Sequence, residues 1–348
     1  MVDDENPGGA GPQRPHFPLG YRLLGGLVLL SSLLAGWLWM DYRRFVDSPL
    51  GLKSPVVFEI GQGEGLQAIA LGLKRRGILR KPLWFEWLAY SSGAHQRLKY
   101  GEYEIPVDAT PRTLLDRIVA GKVLQHPITV VEGWKFSEML AALALNPVLN
   151  HRLAGQPPEA VMAALGFPGQ APEGRFFPDT YFVTKGTSDL EILRRAHAKM
   201  DDILDREWQG RPAGLPFGSP YEALILASIV EKETARPEER TAVAGVFLRR
   251  LRKGMRLQTD PTVIYGMGAA YDGDIRKSDL LRDTPYNTYT RSGLPPTPIA
   301  LPGLPAIQAA LHPDVGDSLY FVARGDGSHV FSATLEEHRR AVERFQKR

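Results

Sequence analysis

The hydrophobic pattern opens with one long run. Leu23 to Met40 reads LLGGLVLLSSLLAGWLWM, 18 residues without a charge. As a helix this run is about 27 Å long, close to the roughly 30 Å of a bilayer's hydrocarbon core. Leu19 to Tyr21 extend it if Arg22 snorkels, and Trp37, Trp39 and Tyr42 fall where an interfacial aromatic belt belongs. A cleaved signal peptide needs small residues at the end of its apolar stretch, whereas this one ends Trp37-Leu38-Trp39-Met40. The pattern therefore predicts a retained transmembrane helix over 21–41. Arg14 and Arg22 before it, and Arg43, Arg44 and Lys53 after it, leave its orientation open. Residues 1–18 are polar and rich in Gly and Pro, a composition expected to be disordered.

Beyond the run, the periodicities predict a small α+β module from Ser54 to about Leu124. Pro55–Ile60 and Tyr100–Ile105 alternate as strands do, and Leu66, Ile69, Ala70 and Leu73 make an apolar helical stripe. A second helix starts at Pro82 and carries Leu83, Trp84, Trp87 and Leu88; a third opens at Thr110-Pro111 with Thr110 as its N-cap. The order strand, Glu-Gly, helix occurs at Val57–Ile60 with Glu64-Gly65 and again at Ile128–Val131 with Glu132-Gly133, the Glu-Gly pairs 68 residues apart. Either these are related half-units or two independent strand–turn–helix pieces. The shape resembles a LysM-like module, a sugar-binding unit of bacterial envelopes. A Pro/Gly-rich stretch from Gln156 to Gly174 follows, then a helix through Leu190, Leu193, Ala196 and Met200, and a second linker over 210–220. The chain closes with strands at Leu319–Ala323 and His329–Ser332 and a helix whose Thr334 and Glu337 form a capping box.

Candidate chemistry concentrates on Tyr221–Ala235, YEALILASIVEKETA, a helix nearly apolar all round until Glu231 and hence buried. Glu231 shares its face with Leu224, Ala227 and Ser228, so poor solvation should raise its pKa, as a proton donor at a glycosidic bond requires. Glu233 points roughly 200° around the helix, so the two cannot face one substrate. Without a catalytic role, Glu231 would pair with Arg240. The cations at Arg249, Arg250, Arg252 and Lys253 before Gly254 read as a helix C-terminus. Asp260-Pro261 reads as an N-cap followed by a first-turn proline, while Gln258 and Thr259 have no such explanation and could touch a polar ligand. The loop from Tyr286 through Asn287 and Tyr289 to Pro298 offers rings for sugar faces and amides for sugar hydroxyls.

Composition removes several classes. With no cysteine among 348 residues, disulfide scaffolds, thiolate zinc sites and cysteine nucleophiles are excluded. A net charge of +3 is too small to argue for nucleic acid as a partner. The eight His are scattered, with no metal-ligand spacing, and there is no nucleophile elbow or phosphate loop. No metal and no cofactor is expected.

Together Leu226-Ala-Ser-Ile-Val-Glu-Lys-Glu-Thr, Arg256-Leu-Gln-Thr-Asp-Pro-Thr-Val-Ile-Tyr-Gly, Tyr286-Asn-Thr-Tyr, Gly293-Leu-Pro-Pro, Phe177-Pro-Asp-Thr-Tyr and His329-Val-Phe-Ser-Ala-Thr-Leu-Glu-Glu-His closely resemble the endolytic murein transglycosylases of the MltG (YceG-like) family. The resemblance implies an α+β protein: a cytoplasmic tail over 1–20, a transmembrane helix over 21–41, a LysM-like subdomain over 54–145 and a mixed α+β catalytic domain over 173–348. It implies a single-pass protein of the bacterial inner (cytoplasmic) membrane with its bulk in the periplasm. Peptidoglycan glycan strands are the expected substrate, cut internally, which contributes to terminating strand elongation; peptidoglycan synthases are candidate partners. The resemblance places the catalytic acid on Glu231, and matches Thr259, Asp260, Tyr286, Asn287 and Tyr289 to motifs that line the cleft. One carboxyl then serves as acid and as base, closing a 1,6-anhydro ring on N-acetylmuramic acid (MurNAc) at its bond to N-acetylglucosamine. The alternatives are a muramidase that uses Asp260 or Glu233 as a second carboxylate, and a glycan-binding scaffold without catalysis.

Overall fold

In the computed structural model, residues 19–346 are described, so the expected tail lies almost wholly outside them. The chain divides into two compact units, one ending at Leu124 and one beginning at Gln125. In the first, the apolar run forms helix α1, Leu19–Asp47, which extends past the expected 21–41 at both ends. None of its most apolar 18-residue window is buried, so α1 is no core helix of a soluble domain. It is a candidate membrane anchor. Its last turns do enter a core: Tyr42 and Val46 pack with Ile60, Leu73 and Phe85. Asp41, the residue after the apolar run, accepts hydrogen bonds from Lys81 Nζ at 2.5 Å and Trp84 Nε1 at 2.9 Å.

The rest of this unit is β1 (Val56–Ile60), α2 (Leu66–Arg75), α3 (Pro82–Ser91), β2 (Gly101–Ile105) and α4 (Pro111–Ala120). β1 and β2 pair antiparallel, Val56 opposite Ile105 and Ile60 opposite Gly101. Phe58 and Ile60 turn inward while Val57 and Glu59 face out, as alternation demands. All four residues of the α2 stripe are buried, and Thr110 caps α4 reciprocally with Thr113. Helix α3 buries only part of its apolar surface. Phe85, Leu88 and Ala89 supply its buried side, leaving Leu83 77% and Trp87 57% exposed.

The second unit contains β3 (His126–Thr129), α5 (Phe136–Ala144), α6 (Pro158–Leu165), β4 (Thr180–Val183), α7 (Asp189–Gln209), α8 (Pro220–Glu233), α9 (Arg240–Arg252), α10 (Asp260–Met267), α11 (Lys277–Leu281), α12 (Leu304–Leu311), β5 (Tyr320–Ala323), β6 (His329–Ser332) and α13 (Leu335–Phe345). The span 54–145 implied by the resemblance would take in β3 and α5, whereas β3 pairs with β4 and α5 joins the core of Phe176, Ile192 and Ala196. The strand–turn–helix echo survives in a different register. Gly63 and Gly133 take the left-handed turn conformation at φ 81° and 77°, each three residues before its helix start, Leu66 or Phe136. The matched turns therefore pair Gln62-Gly63, rather than Glu64-Gly65, with Glu132-Gly133.

The Pro/Gly stretch after Gln156 is not a loose linker. Prolines start α6, Gly166 ends it at φ 97°, and Val161, Met162 and Leu165 are buried. A second core surrounds α8, whose residues Ala223 to Val230 are all buried, with Phe247 of α9 and Ile307 of α12 against them. Gly174 sits between these regions at φ 78°, where an added Cβ would lie 2.4 Å from the Pro298 ring. Gly174→Ala is expected to cost at least ~2 kcal/mol, from the left-handed backbone and an unyielding ring together. Denaturant titration reads this as a lowered midpoint.

Candidate active site

Helix α8 ends at Glu233, and Thr234 leaves it extended. The buried stem thus delivers a carboxyl to the point where the chain opens. Facing it is the start of α10. Gln258, at φ 55°, is the one described residue other than glycine with positive φ, a conformation with a steric cost that the surroundings must hold in place. They do so through threonines. Thr259 N donates to Thr288 Oγ1 at 3.1 Å, Thr262 Oγ1 lies 2.9 Å from the same oxygen, and Thr262 Oγ1 donates to Thr259 O at 2.7 Å. Thr259 is buried and its hydroxyl donates to Glu233.

Glu233, Gln258, Asp260 and Tyr289 line a cavity of about 560 Å3 with Arg250, Tyr320 and His329. Burial pushes the Glu233 carboxyl up to about 7 against the bond from Thr259, and the Asp260 carboxylate adds to the rise. A carboxyl poised near neutrality can give a proton and take it back. Asp260 is not the N-cap: Thr259 holds that position, and Asp260 instead accepts from Tyr289 Oη at 2.5 Å. The cavity therefore holds a second carboxylate, already committed to a phenol.

Glu231 does not share this cavity. Its Oε2 accepts from Gly303 N at 3.0 Å and its Oε1 lies 3.9 Å from Arg240 Nη2. Burial raises its pKa, opposed by the Gly303 bond and assisted by the Glu132 carboxylate. The neighbouring Lys232 donates to Gly133 O at 3.2 Å, while Gly133 N donates to Leu301 O at 2.8 Å. Glu231 thus belongs to a joint between the turn after β3 and the segment before α12. The desolvation argument has the right direction for it, but applies equally to Glu233.

Two more expected cleft residues lie elsewhere. Asn287 is buried; its Nδ2 donates to the carbonyls of Asp279, Leu280 and Arg282, and its Oδ1 accepts from Tyr289 N at 2.8 Å. With its polar atoms so used, it braces the loop and does not line the cavity. Tyr286 lines a different cavity of about 680 Å3, beside Tyr265 and the buried Glu173, which accepts from Tyr265 Oη and Phe136 N, each at 2.9 Å.

The sequence reading missed Arg250, Tyr320, His329 and Glu173. Arg250 had a visible signal: it falls on the apolar stripe of Val243 and Phe247, and a cation on a core face needs internal partners. It finds them in Leu319 O at 2.7 Å and Leu257 O at 2.6 Å. His329 and Tyr320 reach the site only through the β5–β6 hairpin, which pairs Tyr320 with Ser332 and Ala323 with His329. Nothing local marks them.

An α+β unit that brings a near-neutral carboxyl to the rim of a polar cleft defines an acid–base site. The chain matches the YceG-like family over residues 58–344 and belongs to that family. It is 32% identical over 310 residues to an endolytic murein transglycosylase of Bacillus subtilis, covering 84% of this chain and 85% of the relative. An endolytic murein transglycosylase of Streptococcus pneumoniae is 28% identical over 91% of this chain, which spans 63% of that relative's length. A crystal structure of a yceG-like protein from Listeria monocytogenes superimposes with a TM-score of 0.50 at 28% identity, over 83% of this chain and all of that one.

Proposed function

We propose that this chain is a membrane-anchored lytic transglycosylase of peptidoglycan that cuts MurNAc–N-acetylglucosamine bonds within strands, with Glu233 rather than Glu231 as its acid and base. The observation that carries the reading is the Glu233 carboxyl at about 7 in the cavity it shares with Gln258, Asp260 and Tyr289. The activity itself comes from the names of the relatives. Protonated Glu233 gives its proton to the bridging oxygen, and the bond from that oxygen to C1 of MurNAc breaks. The resulting carboxylate stabilises the positive charge at C1 and then takes the proton of the C6 hydroxyl. The C6 oxygen closes on C1, and the acid is restored without water. Thr259 orients the carboxyl, Gln258 and Tyr289 hold sugar groups, and Asp260 fixes Tyr289.

The presence of Asp260 favours one second reading, a muramidase that uses it as base for water. In that case the phenol bound to Asp260 would have to yield. Helix α1 anchors the protein over about 21–41, with the bulk outside the cytoplasm; the antiparallel β1–β2 pair with α2 and α3 between supports the LysM-like reading of the first unit. Termination of strand elongation, and synthases as partners, follow from the same reading.

The pH profile tests the acid. Because Glu233 must be protonated to act, kcat/KM on purified glycan strands is expected to hold below about pH 7 and then fall about tenfold per unit above it. A profile flat from pH 6 to pH 9 would remove Glu233 from the proton-donor role.

A further inference from the structure

The helix α1 does not hand over to a linker. It continues into the first unit's core through Tyr42 and Val46, and Asp41 at the end of its apolar stretch holds both Lys81 and Trp84. This clamp fixes the N-terminus of α3 at the level where the anchor leaves the hydrocarbon. Rings mark the same level: Trp39 meets Tyr42 at 5.9 Å and Tyr42 meets Trp84 at 5.5 Å, the arrangement of an interfacial belt.

From there α3 turns an apolar face outward, on which Tyr90 meets the His95 ring at 4.7 Å. Leu83, Trp87 and Tyr90 lie at helical spacing on one face and are 77%, 57% and 59% exposed. The join between α1 and α3 also carries a cavity of about 300 Å3, with Phe45, Leu50 and Ile78 in its wall and Arg44, Arg80 and Lys81 at its edge. Lys81 is paired with Asp41, whereas Arg44 and Arg80 are exposed. Apolar and aromatic side chains next to guanidinium groups suit the boundary between acyl chains and anionic headgroups.

We infer that the first unit lies against the bilayer, with the Leu83–Trp87–Tyr90 face of α3 in the interface and the Arg44–Arg80 cavity taking the phosphate of an anionic lipid. The inference rests on α1 being the membrane anchor. It makes the first unit a foot seated on the membrane, rather than a bead on a tether.

The absence of cysteine permits a clean test in the full chain. Leu83→Cys and Trp87→Cys, each carrying an environment-sensitive fluorophore, are reconstituted in vesicles of phosphatidylcholine with or without phosphatidylglycerol. Both labels are expected to shift blue, to be quenched by headgroup-proximal nitroxide lipids and to be several-fold shielded from iodide; a label on Glu104→Cys should stay aqueous. Adding Arg44→Glu with Arg80→Glu should abolish the effect of phosphatidylglycerol. Labels at 83 and 87 equally open to iodide in both vesicles and in detergent would overturn the inference. So would shielding by inorganic phosphate or glycan fragments in detergent equal to that by lipid. Resistance of the chain to carbonate extraction reports on the anchor separately, so failure of α1 as a span is distinguishable from failure of α3 as a foot.

Discussion

Glu233→Gln is expected to lower cleavage of peptidoglycan strands ~10²–10⁴-fold, the usual contribution of a positioned general acid, with KM little changed. Gln keeps the volume and can still accept the Thr259 hydroxyl, but cannot deliver a proton. The same substitution should leave the protein at least as stable. A carboxyl whose folded pKa lies near 7 instead of 4.5 binds its proton more tightly in the folded chain. Stability therefore falls as pH rises from about 4.5 to about 7, by at most ~3 kcal/mol for this group. Glu233→Gln should thus raise the melting temperature at pH 8 and change it little at pH 4. Glu231→Gln is the control with the opposite signature. It disturbs the joint at Gly303, and so should lower stability and reduce cleavage by less than tenfold. Near-normal cleavage by Glu233→Gln, with loss in Glu231→Gln, would return the acid to Glu231.

The divergence of two glutamates two residues apart shows where a sequence stops being legible. Periodicity located α8 and its burial because residues 223–230, apolar but for Ser228, leave a helix almost no polar side to expose. It also said that Glu231 and Glu233 diverge. It could not say which direction opens on solvent-filled space, since that depends on α10 and the β5–β6 hairpin, distant in the chain. Gln258 and Thr259 stood out because no cap or turn rule accounted for them, and both prove to border Glu233. For Asp260 the capping rule alone gave the wrong local role, N-cap, while the resemblance placed it in the cleft, where it lies. Asn287 and Tyr286 sit in the same tetrad as Tyr289, yet one turns inward to three carbonyls and the other into the Glu173 cavity. Local sequence marks a polar aromatic loop, but not which way each member points. On α3 the sequence shows apolar residues on two sides, and only the fold shows which side meets the core and which is left outward.

Digestion of long, unmodified glycan strands should yield fragments ending in 1,6-anhydro-MurNAc, with internal bonds cut from the start. The chemical ground is the state of the two carboxyls in the cavity. Glu233 is the one held near neutrality, while Asp260 accepts a 2.5 Å bond from Tyr289 and is poorly placed to activate a water. The nearest competent nucleophile is then the C6 hydroxyl of the residue being cleaved. It is already tethered, and intramolecular attack of this kind can match effective concentrations of ~10⁵ M or more, well beyond what water offers. Internal cutting requires that the cleft let a strand run past Glu233 in both directions. Mass spectrometry distinguishes the outcomes, since an anhydro end is lighter than a reducing end by one water. Reducing-end MurNAc would transfer the base role to Asp260 and make Asp260→Asn as damaging as Glu233→Gln. Disaccharides released from the first time point would instead mean that one end of the cleft is closed to the strand.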